Sequence, residues 1–169
     1  NLKSLFLFLS FFLAAQFCYS SDCDKDIADQ LFNSKNYSLA QSYYVDLLEC
    51  PDVSSQELEQ VDLRIAICAV ELFNEDAEFL LLKYIEDFKD GFYVNDAQYH
   101  LSRLYFIQKD FKRVLARMTQ VDLSLLTAED KLMFYFRQGY SSFVTKDYKQ
   151  SKLSFYEIRN ENFRFKELV

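Results

Sequence analysis

A fixed step of 37 residues constrains this chain more than any other feature. Lys109-Asp110-Phe111 and Lys146-Asp147-Tyr148 are the same short polar turn ending in an aromatic, one step apart, and Lys35-Asn36-Tyr37 stands two steps before the first of them. Three residues beyond each aromatic comes a small or β-branched residue: Ala40, Val114 and Ser151. Ala77, just after Asn74, fills the missing rung, so Ala40, Ala77, Val114 and Ser151 form a ladder of constant spacing. A period between 20 and 50 residues is the signature of stacked supersecondary units, each burying its apolar face on the next.

The unit is helical. Gly 2 and Pro 1 in 169 residues leave almost no turn formers for a sheet protein, which favours an all-α chain. Apolar residues recur at helical spacing in Leu39, Ala40, Tyr43, Tyr44, Leu47 and Leu48, and again in Leu58, Val61, Ile65, Cys68, Ala69 and Leu72. The pattern predicts helices over about 24–34, 39–49, 54–73, 77–88, 95–107, 111–120, 132–144 and 148–158, with the start of a ninth at 163–169. Ser54-x-x-Glu57, Asn95-x-x-Gln98 and Thr127-x-x-Asp130 read as N-terminal caps. Pro51 stops the second helix, and Gly91 reads as a C-terminal stop for the fourth.

The first 20 residues stand apart. Lys3 followed by an almost unbroken apolar run from Leu5 to Ala15 and then small residues has the pattern of a secretory signal peptide, too short to span a bilayer. Ser20 is the favoured cleavage point and Ala15 the alternative. An apolar helix docked on the core is the competing reading, and Gln16-Phe17 argues against lipidation at Cys18. An exported chain meets an oxidising compartment, where cysteines pair. Cys23 lies just before the first helix and Cys50 just after the second. A helix hairpin makes those two ends neighbours, so a Cys23–Cys50 disulfide is expected, while Cys68 sits on an apolar helix face as a buried thiol.

These units resemble tetratricopeptide repeats. The resemblance is clearest in Tyr99-x-Leu101-Ser102-x-x-Tyr105, the turn Lys109-Asp110-Phe111, then Val114, Met118 and Val121. It continues in Tyr135, Gly139, Tyr148, Ser151, Phe155 and Ile158, in Ala28, Leu31, Tyr37, Ala40, Tyr44 and Leu47, and in Ala77, Leu81 and Tyr84 after a helix slipped by one residue, with Ala66 and Ala69 at the small positions. It covers about residues 24–160. The period is 37 where the family has 34, and Val114 and Ser151 replace the usual Ala. The resemblance implies an all-α solenoid of antiparallel helix hairpins, a right-handed superhelix of about four repeats (24–51, 54–89, 95–121 and 128–160) that continues beyond residue 169. Asp87-Phe88-Lys89-Asp90-Gly91-x-Tyr93, running into Ala97-x-Tyr99-x-Leu101, is also similar to runs in exported tetratricopeptide proteins of the bacterial envelope. Examples are the coordinator of the Tol–Pal system and the tetratricopeptide lipoprotein of the β-barrel assembly machine.

That resemblance implies a non-enzymatic protein-binding scaffold at the periplasm or outer-membrane periphery. Such a scaffold holds a protein or peptide segment of an envelope complex in a groove lined by the first helix of each unit. By alignment, the groove positions are Tyr99, Arg103 and Phe106 in the third unit and Phe136, Tyr140 and Phe143 in the fourth, with Lys25, Asp29 and Phe32 in the first. Rings that pack between units are the alternative for these positions. A glycan-binding or nutrient-uptake component and a structural spacer are the alternative functions; the absence of Trp and of long insertions counts against the glycan reading. No cofactor is expected. A net charge of −7 without a basic stripe argues against nucleic acid. A single histidine, His100, supports neither a Ser-His-Asp arrangement nor a metal site, and no glycine-rich phosphate loop exists.

Overall fold

The computed structural model describes residues 23–51 and 53–160. The leader expected at 1–20 and the helix expected at 163–169 lie outside the described residues. Among those described, the chain is all-helical, with no strand. The order is α1 (Lys25–Asn33), α2 (Tyr37–Leu47), α3 (Ser55–Glu71), α4 (Ala77–Asp87), α5 (Val94–Ile107), α6 (Phe111–Met118), a 3-10 turn (Leu123–Leu125), α7 (Ala128–Val144) and α8 (Tyr148–Ile158). Each helix packs on the next in sequence, and α5 also touches α3 and α7.

Four corners set this order, and they share one geometry. Lys35, Phe73, Lys109 and Lys146 adopt positive φ of 64°, 58°, 60° and 67°. Each closes the helix before it with the same two hydrogen bonds. At the third corner, Asp110 N donates to Tyr105 O at 2.9 Å and Lys109 N to Phe106 O at 3.1 Å; Asn36 to Leu31, Asn74 to Ala69 and Asp147 to Ser142 repeat the longer-range bond. This is the Schellman closure, which satisfies carbonyls that the helix end would orphan. Glycine normally takes the left-handed position, so a Lys or Phe there carries local strain that the surrounding packing must offset. At Asp110 and Asp147 the same residue then caps the next helix, its carboxylate accepting from Arg113 N and Gln150 N at 3.1 Å each. The shared corner is why α2 begins at Tyr37, two residues earlier than the apolar pattern suggests.

The corners fix which residues meet. Seven positions before each left-handed residue stand Ala28, Ala66, Ser102 and Gly139, and all four are buried. On the second helices the ladder Ala40, Ala77, Val114 and Ser151 is also buried. At the second corner the left-handed residue falls one position later, leaving four residues to Ala77 where the other corners leave five. Gly139 shows what the small positions are for: a Cβ placed on it would lie 2.8 Å from the Phe155 ring of α8. The first pair of helices is tied by the Cys23–Cys50 disulfide, with Cα atoms 6.0 Å apart. Closing a loop with a sequence separation of 27 contributes on the order of 3 kcal/mol through the unfolded chain. Cys68 is a free, fully buried thiol, and burial pushes it up to about 12.

Two sequence readings are corrected in detail. Gly91 is no left-handed stop; α4 ends at Asp87, and no glycine has positive φ. Its missing Cβ makes room for the buried Glu59 carboxylate, which accepts from Tyr84 Oη at 2.9 Å and Tyr93 N at 3.4 Å. Asn95 does not cap α5, which starts one residue before it; its side chain braces the loop ahead of α7 by accepting from Asp122 N at 2.6 Å and donating to Asp122 O at 3.2 Å. The caps at Ser54/Glu57 and Thr127/Asp130 are present, the first with both arms of the box formed.

Gly139→Val is expected to destabilise the fold by about 1–3 kcal/mol through overpacking on Phe155, despite the better helix propensity of valine. Adding Phe155→Ala should recover part of that loss, and chemical denaturation of the two single variants and the double variant measures the coupling.

Candidate binding site

The register of α5 against α7 opens a cleft of about 720 Å³ between them. From α5 come Arg103, Phe106 and Ile107, and from α7 Met133, Phe136, Arg137, Tyr140 and Val144, while Lys109 and Phe111 close one end at the third corner. The wall is aromatic. Phe106 meets Tyr140 and Phe111 at centroid distances of 5.6 and 5.9 Å, and Phe111 meets Tyr140 at 5.6 Å. Phe136 lies beneath, 6.4 Å from both Tyr140 and Phe155. Edge-on rings held this way form a rigid apolar surface with little rotamer entropy left to lose.

Of the nine positions aligned to a groove, four line this cleft: Arg103, Phe106, Phe136 and Tyr140. Tyr140 is exposed at the mouth and Phe136 is buried at the base. Tyr99 points elsewhere: it is 4 % exposed, its hydroxyl donates to Asp130 O at 3.4 Å, and burial raises it to about 12. Phe143 is exposed outside the cleft and packs on Tyr148 at 5.8 Å. Lys25 and Asp29 pair with each other at 2.5 Å, and Tyr44 Oη also donates to Asp29 at 2.5 Å. Burial pushes Asp29 up, but the bonds from Lys25 and Tyr44 outweigh it and hold the carboxyl below its ordinary value.

The two arginines of the cleft differ. Arg103 reaches back to Glu71 on α3 in a two-pronged ion pair, Nη2 to Oε2 at 2.8 Å with Nη1 on Oε1, and that bonding raises its already high pKa. Arg137 is 7 % exposed and lies over the Tyr99 ring with its Cζ 5.2 Å from the centroid. Its Nη1 is buried without a hydrogen-bond acceptor, and burial lowers its pKa. Sequence reasoning missed Arg137, although a signal existed. Arg64, His100 and Arg137 each stand two residues before a small position, Ala66, Ser102 and Gly139, and so share one register on α3, α5 and α7.

His100 lines a second, polar depression of about 230 Å³ with Arg64, Asp96, Glu71 and Gln60, roofed by Phe32, over which the Arg64 guanidinium sits at 4.1 Å. Burial above all, then Arg103, Arg137 and Arg64, push His100 down to about 3. Among the described residues no group of three or more His, Cys, Asp or Glu is placed to hold a metal ion, and no helix is long and apolar enough to cross a membrane. No protein-family model, curated protein or solved structure matches the chain.

Arg103→Ala leaves the half-buried Glu71 carboxylate without its partner and is expected to cost about 1–3 kcal/mol of stability, whereas Phe143→Ala should change it by less than about 1 kcal/mol; thermal and urea unfolding check both. His100 is neutral in the fold but takes a proton in the unfolded chain below its ordinary value of 6.5. Its contribution to stability is therefore constant above pH 6.5 and falls as pH drops from there towards 3. His100→Gln should flatten the stability–pH curve within that window relative to the parent.

Proposed function

We propose that this chain is an exported, tetratricopeptide-type α-solenoid that serves as a non-enzymatic binding scaffold of the bacterial cell envelope, holding a segment of a partner protein against its first helices. The observation that carries the reading is the ring-walled cleft between α5 and α7, open to solvent at Tyr140 and backed by the buried Phe136. Surface clefts of several hundred Å³ with aromatic walls and a few convergent polar groups are where proteins seat ligands, and Tyr and Arg are the residue types that dominate binding hot spots. The repeat reading is supported by the four like corners, at steps of 38, 36 and 37 residues, and by the small residues that keep a constant distance from them. The address in the envelope rests on the apolar leader pattern of residues 1–20 and on the paired Cys23 and Cys50.

A photo-crosslinking residue placed at Tyr140 in cells is expected to capture a discrete protein partner, while the same group at the exposed Phe79 on α4 captures none. Adducts of equal yield at both sites, or at neither, would contradict the reading. With the captured partner in hand, Tyr140→Ala should weaken binding by about 1–3 kcal/mol with little change in stability.

A further inference from the structure

Arg137 carries more than the scaffold reading uses. Its side chain is buried in the wall of the cleft, Nη1 has no acceptor among the described residues, and no carboxylate there forms an ion pair with it. The nearest candidates are accounted for. Both oxygens of Glu71 are held by Arg103, and Asp130 attracts Arg137 only at longer range, its carboxylate being bonded to the Thr127 hydroxyl at 2.6 Å. Arg103 itself repels Arg137. Tyr99 offers partial compensation, its ring lying against the guanidinium and its hydroxyl accepting one hydrogen bond from it, but it supplies no planar pair of acceptors and Nη1 is left unmet. A buried guanidinium with an unmet donor is unfavourable, so its retention beside an open cleft calls for an anion from outside.

The surroundings narrow that anion. One guanidinium is available, which suits a singly charged carboxylate; phosphate groups are more strongly hydrated and call for several donors. Apart from Arg103, which Glu71 holds, and Lys109 at one end, the rest of the cleft is apolar, with Phe106, Phe111, Met133 and Tyr140 in its lining, and the anion must therefore arrive attached to apolar matter. In a chain of net charge −7 this local positive spot also fixes the direction in which an acidic segment docks.

We propose that the cleft between α5 and α7 receives an acidic side chain of the partner segment on Arg137, with an adjacent aromatic or aliphatic side chain packed on Phe106, Phe111 and Tyr140. The proposal rests on the scaffold reading and specifies the sequence chemistry the scaffold selects, an acidic residue next to a large apolar one.

The test uses a fluorescent, end-blocked peptide, acetyl-Gly-Leu-Phe-Glu-Leu-Gly-amide, and its counterpart with glutamine in place of glutamate, titrated with the protein by anisotropy. The glutamate peptide should bind about tenfold more tightly than the glutamine one. In Arg137→Gln that preference should vanish, the two peptides binding with equal affinity. Should Arg137→Gln lose its helical circular dichroism, Arg137→Lys serves in its place, with the preference reduced because the two-pronged geometry is gone. Equal binding of the two peptides to the parent protein, or a preference that survives Arg137→Gln, overturns the carboxylate assignment and leaves the scaffold reading standing. Binding of neither peptide overturns the acidic-and-apolar assignment, and the Tyr140 crosslink decides the scaffold reading separately. Competition by 3-phenylpropionate at the peptide's own affinity would assign the cleft to a small carboxylate and overturn the partner segment as its occupant.

Discussion

The left-handed residue at each corner, seven positions after a small residue on the helix it closes, is the constraint on which the rest of the structure depends. The corner sets the point at which the chain turns back, and the small residue sets how closely the returning helix can lie. At the fourth corner the two are visible together: Lys146 turns the chain, and Gly139 admits the Phe155 ring where a methyl group would collide. Because successive helices pack through short corners, an error of one residue at any of them would rotate a whole helix face by about 100° and bring different side chains inward. The corner at Phe73 shows the fold absorbing such a shift. There the left-handed residue comes late, α4 starts late, and Ala77 still reaches its buried rung.

The same register decides where charge and rings lie on the first helices. Positions two before the small residue place Arg64, His100 and Arg137 in line, and positions one and four after it bring Arg103, Phe106 and Tyr140 to the cleft. The chain handles these groups in different ways. Arg103 is neutralised by Glu71 across two helices, Arg64 rests on the Phe32 ring, and His100 is driven to its neutral form by burial above all and then by its cationic neighbours. The His100 Nδ1 and the Arg137 Nη1 are both buried without a partner, His100 in the lining of the polar depression and Arg137 in that of the aromatic cleft. The carboxylate inference therefore follows from how charge is distributed over these helices, while the scaffold reading follows from the ring-walled cleft.

Much of this was legible in the sequence. The rungs Ala40, Ala77, Val114 and Ser151 recur because buried positions facing a neighbouring helix tolerate little volume, and a period of that kind survives in the letters. Capping boxes are equally local, and Ser54 and Thr127 signalled theirs. What the letters hid was set by tertiary partners. Gly91 looks like a stop signal, yet it serves Glu59, 32 residues earlier. Asn95 looks like a cap, yet its amide holds Asp122. Tyr99 aligns with groove positions, but Arg137 and Asp130 draw it inward. Arg137 is not legible because a lone arginine on a helix reads as solvent-facing until its neighbours are known to leave it buried with one donor unmet.

The central claim is that the first-helix register builds a rigid aromatic cleft between α5 and α7. The most direct measurement is a nuclear Overhauser spectrum with the Phe and Tyr rings selectively labelled. The account predicts cross-peaks from the Tyr140 ring to the rings of both Phe106 and Phe111, whose centroids lie 5.6 Å away. A Tyr140 ring with no cross-peak to either would mean that α5 and α7 are not in this register, and would contradict the account.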